Sequence, residues 1–194
     1  MSTIKVSNIQ DISNNAAMSI SSGVVTFNNA PVGIPNVSGT ILTSTIATTS
    51  GTSISFTGIP STVKHVTIHY MGCSHAGADN TWLFELGTSS ALKTSGYFST
   101  VTATGASNAY QQRTDGFATY YNAGAADLMY GEASINLAIA SSHSWTQTGN
   151  IRSQNYVGVS GGFVELGGAL SQIRIHTAGN RTFDAGSISI SYYS

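Results

Sequence analysis

The sequence predicts an all-β protein: an antiparallel sandwich or barrel preceded by a short extended N-terminal arm. Three observations predict it. The first is period-two alternation, clearest in Val63-Lys64-His65-Val66-Thr67-Ile68-His69-Tyr70. There Val66, Ile68 and Tyr70 fall on one face of an extended chain and His65, Thr67 and His69 on the other, as successive side chains of a strand must. Ser53–Thr57, Ile173–His176 and Ile188–Tyr192 repeat the pattern. The second is punctuation by glycine at short intervals, and the third is the lack of any convincing amphipathic helix.

In chain order, residues 1–40 stand apart. Ile4-Lys5-Val6 and Val24-Val25-Thr26-Phe27 are short apolar pieces among polar segments, with Gly23, Pro31, Gly33 and Pro35 close together. Nothing here is long enough to build a core alone. The regular return of Ile and Val favours short strands that pair with other chains over a plain linker. From Thr40 the pattern is strand, turn, strand. Candidate strands are 40–46, 52–57, 63–70, 81–86, 96–102, 116–121, 129–139, 156–159, 163–166, 170–177 and 187–193. Gly72, Gly77, Gly87, Gly105, Gly124, Gly149, Gly161-Gly162, Gly167-Gly168 and Gly179-Asn180 mark turns between them. Residues 122–128 have room for one helical turn. Residues 41–194 thus read as one β-sandwich head domain.

Composition narrows the function classes. Charged residues make up 8% of the 194, against roughly 25% in an ordinary soluble domain. Hydrophobic residues reach 41%, with nine Tyr and seven Phe, so the low charge does not signal disorder. The surface is built of hydroxyls and amides, which suits a protein covered by copies of itself or by a larger assembly. A net charge of −1 supplies no basic patch for nucleic acid. No apolar run approaches the ~20 residues that span a bilayer, so membrane insertion is not expected. The N-terminus lacks a basic segment followed by an apolar one, so no secretory signal is expected. Cys73 is the only cysteine, which excludes an internal disulfide and fits synthesis in a reducing cytoplasm.

Constellations for chemistry are sparse. Gly158-Val159-Ser160-Gly161-Gly162 matches GxSxG. A nucleophile elbow, however, needs a strand-to-helix turn with Asp and then His downstream. Here strand-like Phe163-Val164-Glu165-Leu166 follows, and His176 precedes Asp184. His69, Cys73 and His75 form the one metal-like cluster, without a second ligand pair. His65 and His69 share a strand face but stand ~13 Å apart. The eight acids are scattered, with nothing to indicate a pair roughly 5 to 10 Å apart as glycoside hydrolysis needs. Glu85 and Glu165 lie within apolar runs, where a partner such as Arg174 or Lys93 is expected. No catalytic residues, metal ligands or cofactor are assigned.

The aromatics carry more. Tyr and Trp set among Gly, Ser and Asn form the palette of adaptable recognition loops, and aromatic faces stack on sugars. Trp82, Tyr97 and Tyr130 read as packing residues. Tyr110, Tyr120, Tyr121 and Trp145 are the candidate recognition surface.

Several phrases carry a family resemblance. Phe56-Thr57-Gly58-Ile59-Pro60-Ser61-Thr62-Val63-Lys64-His65-Val66-Thr67-Ile68 resembles the "FTGIP-x-x-V-K-x-I-T-I" phrase of tailed-bacteriophage virion proteins, notably those of marine and cyanobacterial phages. Leu86-Gly87-Thr88-Ser89-Ser90 with Thr94-Ser95-Gly96-Tyr97 resembles their "LG…TSGY" segment. Thr182-Phe183-Asp184-Ala185-Gly186-Ser187-Ile188-Ser189-Ile190-Ser191-Tyr192 resembles their closing "TFDAGSI-x-I-x-Y". The resemblance covers residues 50–194 and implies a jelly-roll-like β-sandwich, a homotrimer, and a structural or tail-fibre role in the virion. Residues 1–40 resemble short attachment pieces of phage fibres, without a long shaft. The expectation is a non-enzymatic virion protein, made in the host cytoplasm: a short fibre or knob displaying a host-recognition surface. Its partners would be other virion proteins through residues 1–40 and a glycan or protein of the host cell surface. The alternative is a capsid decoration or head-fibre protein, with a glycan depolymerase a distant third.

Overall fold

The computed structural model describes the backbone of residues 8–10, 16–21 and 24–27, and residues 40–193 apart from 44, 106–108, 126 and 155. The chain forms two compact units, Met1–Gly39 and Thr40–Ser194. In the first, β1 (Asn8–Gln10), β2 (Ala16–Ser21) and β3 (Val24–Phe27) make an antiparallel sheet in that order. The short strands expected to pair with other chains pair here within the chain, Met18 opposite Phe27 and Asn8 opposite Ser19. Ile4-Lys5-Val6, Pro31 and Pro35 lie outside the described residues.

The second unit is a sandwich of two antiparallel sheets. Its strands are β4 (Ile41–Leu42), β5 (Ile46–Ala47), β6 (Ser53–Thr57), β7 (His65–His75), β8 (Asn80–Gly87), β9 (Phe98–Thr104), β10 (Ala109–Arg113), β11 (Phe117–Ala123), β12 (Met129–Ile139), β13 (Ser144–Ser153), β14 (Tyr156–Glu165), β15 (Gln172–Thr177) and β16 (Phe183–Tyr193). One sheet runs β10-β9-β14-β13-β12-β7-β16-β4, with β5 also on β16; the other runs β11-β8-β15-β6. This order is compatible with jelly-roll winding.

The alternating faces fill the space between the sheets. Val66, Ile68 and Tyr70 of β7 meet Trp82, Phe84 and Leu86 of β8, and Ile173, Ile175, Ile188 and Ile190 complete the same cluster. Each such side chain contributes about 1.5–3 kcal/mol when fully buried. Trp82 stacks on Phe183 with centroids 4.8 Å apart and meets Tyr70 edge-on at 6.2 Å. A smaller cluster of Leu83, Val101 and Ala118 lies on the other face of β8 and β11, because β9 curls over them. The curl is held where Ala118 N–H donates to Ser99 Oγ at 2.9 Å.

Gly161 and Gly162, expected to mark a turn, instead lie inside a strand. Gly158 and Gly162 sit within β14 because a Cβ there would meet the rings of Tyr120 and Phe117, each at 2.8 Å. A strand glycine here makes room for a facing aromatic. β14 is therefore one strand where the sequence predicts two. At Gly72, β7 bulges past β16, and Gly186 (φ 84°) lies so close that a Cβ would come within 2.2 Å of the Gly72 carbonyl oxygen. In place of the helical turn expected over 122–128, Asp127 N–H donates to Gly124 O at 3.0 Å in a tight turn, and the described residues contain no helix.

Candidate functional site

The strand registers bring several connections to one end of the sandwich. β8 begins where β11 ends, with Asn80 opposite Ala123; β9 ends beside the start of β14, with Thr104 opposite Val157. At this end a pocket of about 200 Å³ is lined by Asp79, Ala103, Ala109, Tyr120, Tyr121, Gly124, Asp127 and Tyr156. Asp127 is fixed by the turn it caps, its Oδ2 accepting from Gly124 N–H at 2.9 Å. A carboxylate has about four acceptor positions, so this contact leaves capacity facing the pocket. Burial holds the Tyr120 phenol above its ordinary range. The nearby Asp127 and Tyr156 add to the effect. Tyr120 thus stays protonated near neutrality. No lysine or arginine lines the pocket among the described residues.

Of the four aromatics expected at the surface, Tyr110 is 70% exposed and Tyr121 half-buried. Tyr120 and Trp145 are corrections, each 1% exposed. Alternation along β11 would turn Tyr120 away from Phe117, but a bulge at Thr119 sets Ala118 opposite Leu83 and Tyr120 opposite Trp82. The bulge rotates Tyr120 onto the core face. Trp145 lies on β13, which the sequence hides. Its inward positions carry Gln147, 2% exposed and hydrogen-bonded to Ser160 Oγ at 2.8 Å, and the outward ones Thr146 and Thr148. Tyr130, expected to pack, is 48% exposed and lies over Gly72.

The other constellations have plain structural accounts. Ser160 of the GxSxG match is mid-strand and buried, not on an elbow. His75 is buried with Nε2 3.1 Å from Ala123 O, the Cys73 thiol donates to Ser187 O at 3.1 Å, and His69 pairs with Ser191 Oγ at 2.9 Å. Among the described residues no three His, Cys, Asp or Glu gather as metal ligands, and no helix is long and apolar enough to cross a membrane. Glu85 meets Arg174 as expected, its Oε2 accepting from Nε at 2.7 Å and Nη2 at 2.5 Å. Glu165 faces outward from β14 and is exposed, because its neighbours Val164 and Leu166 take the core side.

Sequence reasoning missed Asp79, Asp127 and Tyr156 as pocket residues. Asp79 and Asp127 are 48 positions apart in the chain, and only the pairing of β8 with β11 brings them together. No protein-family model matches the chain, and no curated protein does.

Proposed function

We propose that this chain is a virion structural protein of a tailed phage: a short fibre or knob, homotrimeric, docked through residues 1–40 and displaying a host-recognition surface. The observation that carries the reading is the tyrosine-lined pocket where the connections of the head domain converge. Binding residues concentrate on loops held by a rigid scaffold. The phage phrases of the sequence and a surface with few charges support the virion setting. In the test, purified protein is added to host cells before phage. Saturable cell binding and reduced adsorption are expected. Protein that binds neither cells nor their envelope glycans overturns the recognition role.

A second reading has its own observation. Phe98 (76% exposed), Phe163 and Val159 form an apolar strip on the outer face of β9 and β14, Phe98 paired directly with Phe163. Such a strip suits a face laid against other subunits, as a capsid decoration protein would have. Copies spread over the capsid shell would favour it.

A further inference from the structure

We infer that the outer face of β14 is a contact surface for a second copy of this chain, related by a two-fold axis that crosses the strand at Gly161. The inference names what covers the apolar strip of the second reading and stands apart from the recognition role. Val157, Val159, Gly161, Phe163 and Glu165 alternate onto this face and are exposed along it. Arg152 stands beside Val157 on β13 and is exposed as well, and Phe98 stands beside Phe163 on β9. The line thus carries a cation at one end, an anion at the other and apolar side chains between. Among the described residues neither Arg152 nor Glu165 forms an ion pair. Val157 and Glu165 are eight positions apart, which in a strand is ~26 Å. The two charges cannot meet within one copy.

This pattern is complementary to itself. Turning a second copy about the axis lays β14 antiparallel on β14, so that position 157 faces 165 and position 159 faces 163. Phe163 then meets the partner's Val159. Arg152, one strand spacing of ~4.8 Å from Val157, reaches the partner's Glu165, and a guanidinium can hold a carboxylate with two hydrogen bonds. Gly161 meets its own copy at the axis. Unlike Gly158 and Gly162, it accommodates no ring of its own chain: a Cβ there would have only Gln147 O in range, at 3.8 Å. A strand glycine without an internal cause fits the close approach of another backbone. The face is also large enough. Phe98, Val157, Val159, Phe163 and Tyr110 expose about 500 Å² of apolar surface per copy. The threonines of β9 between them bring the face toward the roughly 800 Å² per partner of a stable interface. Such a contact closes on itself. It pairs two copies, or two trimers of the kind proposed above.

The test is sedimentation equilibrium of the full chain at micromolar concentrations. An even number of copies is expected, two or, where trimers pair, six. Arg152→Glu and Glu165→Arg each set like charges against one another across the axis, and each should weaken pairing roughly tenfold. The two changes together exchange the charges and should restore pairing to within roughly threefold of the parent. That rescue requires the partner to be a second copy, because the residues cannot reach each other within one chain. Gly161→Lys, which the strand has room for, should abolish pairing while the melting temperature of the head domain stays unchanged. One or three copies that never pair overturn the inference and leave the strip to a different virion protein. Single changes that pair like the parent, or a double change that restores nothing, overturn it too. Its failure is separable from that of the proposed function. Protein that blocks phage adsorption without pairing loses only this contact, whereas pairing without adsorption blockade loses the recognition role.

Discussion

Two acidic places in this molecule are built oppositely. On β8, Glu85 has a side chain 4% exposed, held by Arg174 from the adjacent strand, with His176 Nε2 3.5 Å from its other oxygen. His176 Nδ1 is 2.9 Å from the carbonyl of Thr177, which orients the ring. Nearby, burial alone would raise the Asp115 carboxyl, but the Arg113 guanidinium outweighs it and holds it below its ordinary range. At the loop end, the carboxylate of Asp127 caps its own turn and lines a cavity with tyrosines. In a chain with only eight acids, a carboxylate matched to a guanidinium serves the fold. Asp127 instead meets a backbone N–H and a cavity lined by tyrosines.

The largest expected effect breaks what both places share. Trp82→Ala removes the ring that stacks on Phe183 and touches Tyr70 and His75. It should cost about 3–5 kcal/mol, and thermal melting should show it, with the pocket lost as well because Tyr120 sits opposite Trp82. Next, Arg174→Ala strands the buried Glu85 and should cost about 3 kcal/mol. A second change, Glu85→Gln, should recover part of that loss in the double variant. If Arg174→Ala melts like the parent protein, Glu85 is not held in the way described.

A graded effect follows with pH. Burial raises the phenols of Tyr70 and Tyr97 above their ordinary value, and the Cys73 thiol likewise. These are acids whose folded forms keep their protons while the unfolded chain loses them. Their contribution is fully present below the unfolded values and falls as pH rises past about 8.5 for the thiol and about 10 for the phenols. Melting temperature should therefore drop steadily between pH 8 and pH 11, and a flat profile would contradict the burial. The smallest effect sharpens the comparison. Asp127→Asn should change stability by only about 0.5 kcal/mol, because an amide oxygen still accepts from Gly124 N–H. A melt shift as large as that of Arg174→Ala would put Asp127 in the same structural class as Glu85.

The fold was readable where side chains alternate. β12 runs over the 129–139 predicted for it, and Val66, Ile68 and Tyr70 face the core. Strands whose inward positions are polar or small were not. Gln147 and Gly149 conceal β13, and β10 is a half-exposed edge strand of Ala109-Tyr110-Gln111-Gln112-Arg113. Glycine misled where it accommodates a ring rather than a turn, as Gly162 does. Tyr121 was legible as a candidate surface aromatic, and it lines the pocket. Asp127 and Tyr156 were not legible as pocket residues, because sheet pairing alone brings them to it. Tyr120 was named with Tyr121 but as a surface ring, the bulge that turns it inward not being announced by composition.

The most direct measurement is to locate the protein on intact phage particles by antibody-gold labelling. The account predicts label at the tail or fibre tips, where a recognition pocket would meet the host. Label spread over the head would move the protein to the decoration reading and residues 1–40 to the role of shell anchor. Particles that carry no label would contradict the account.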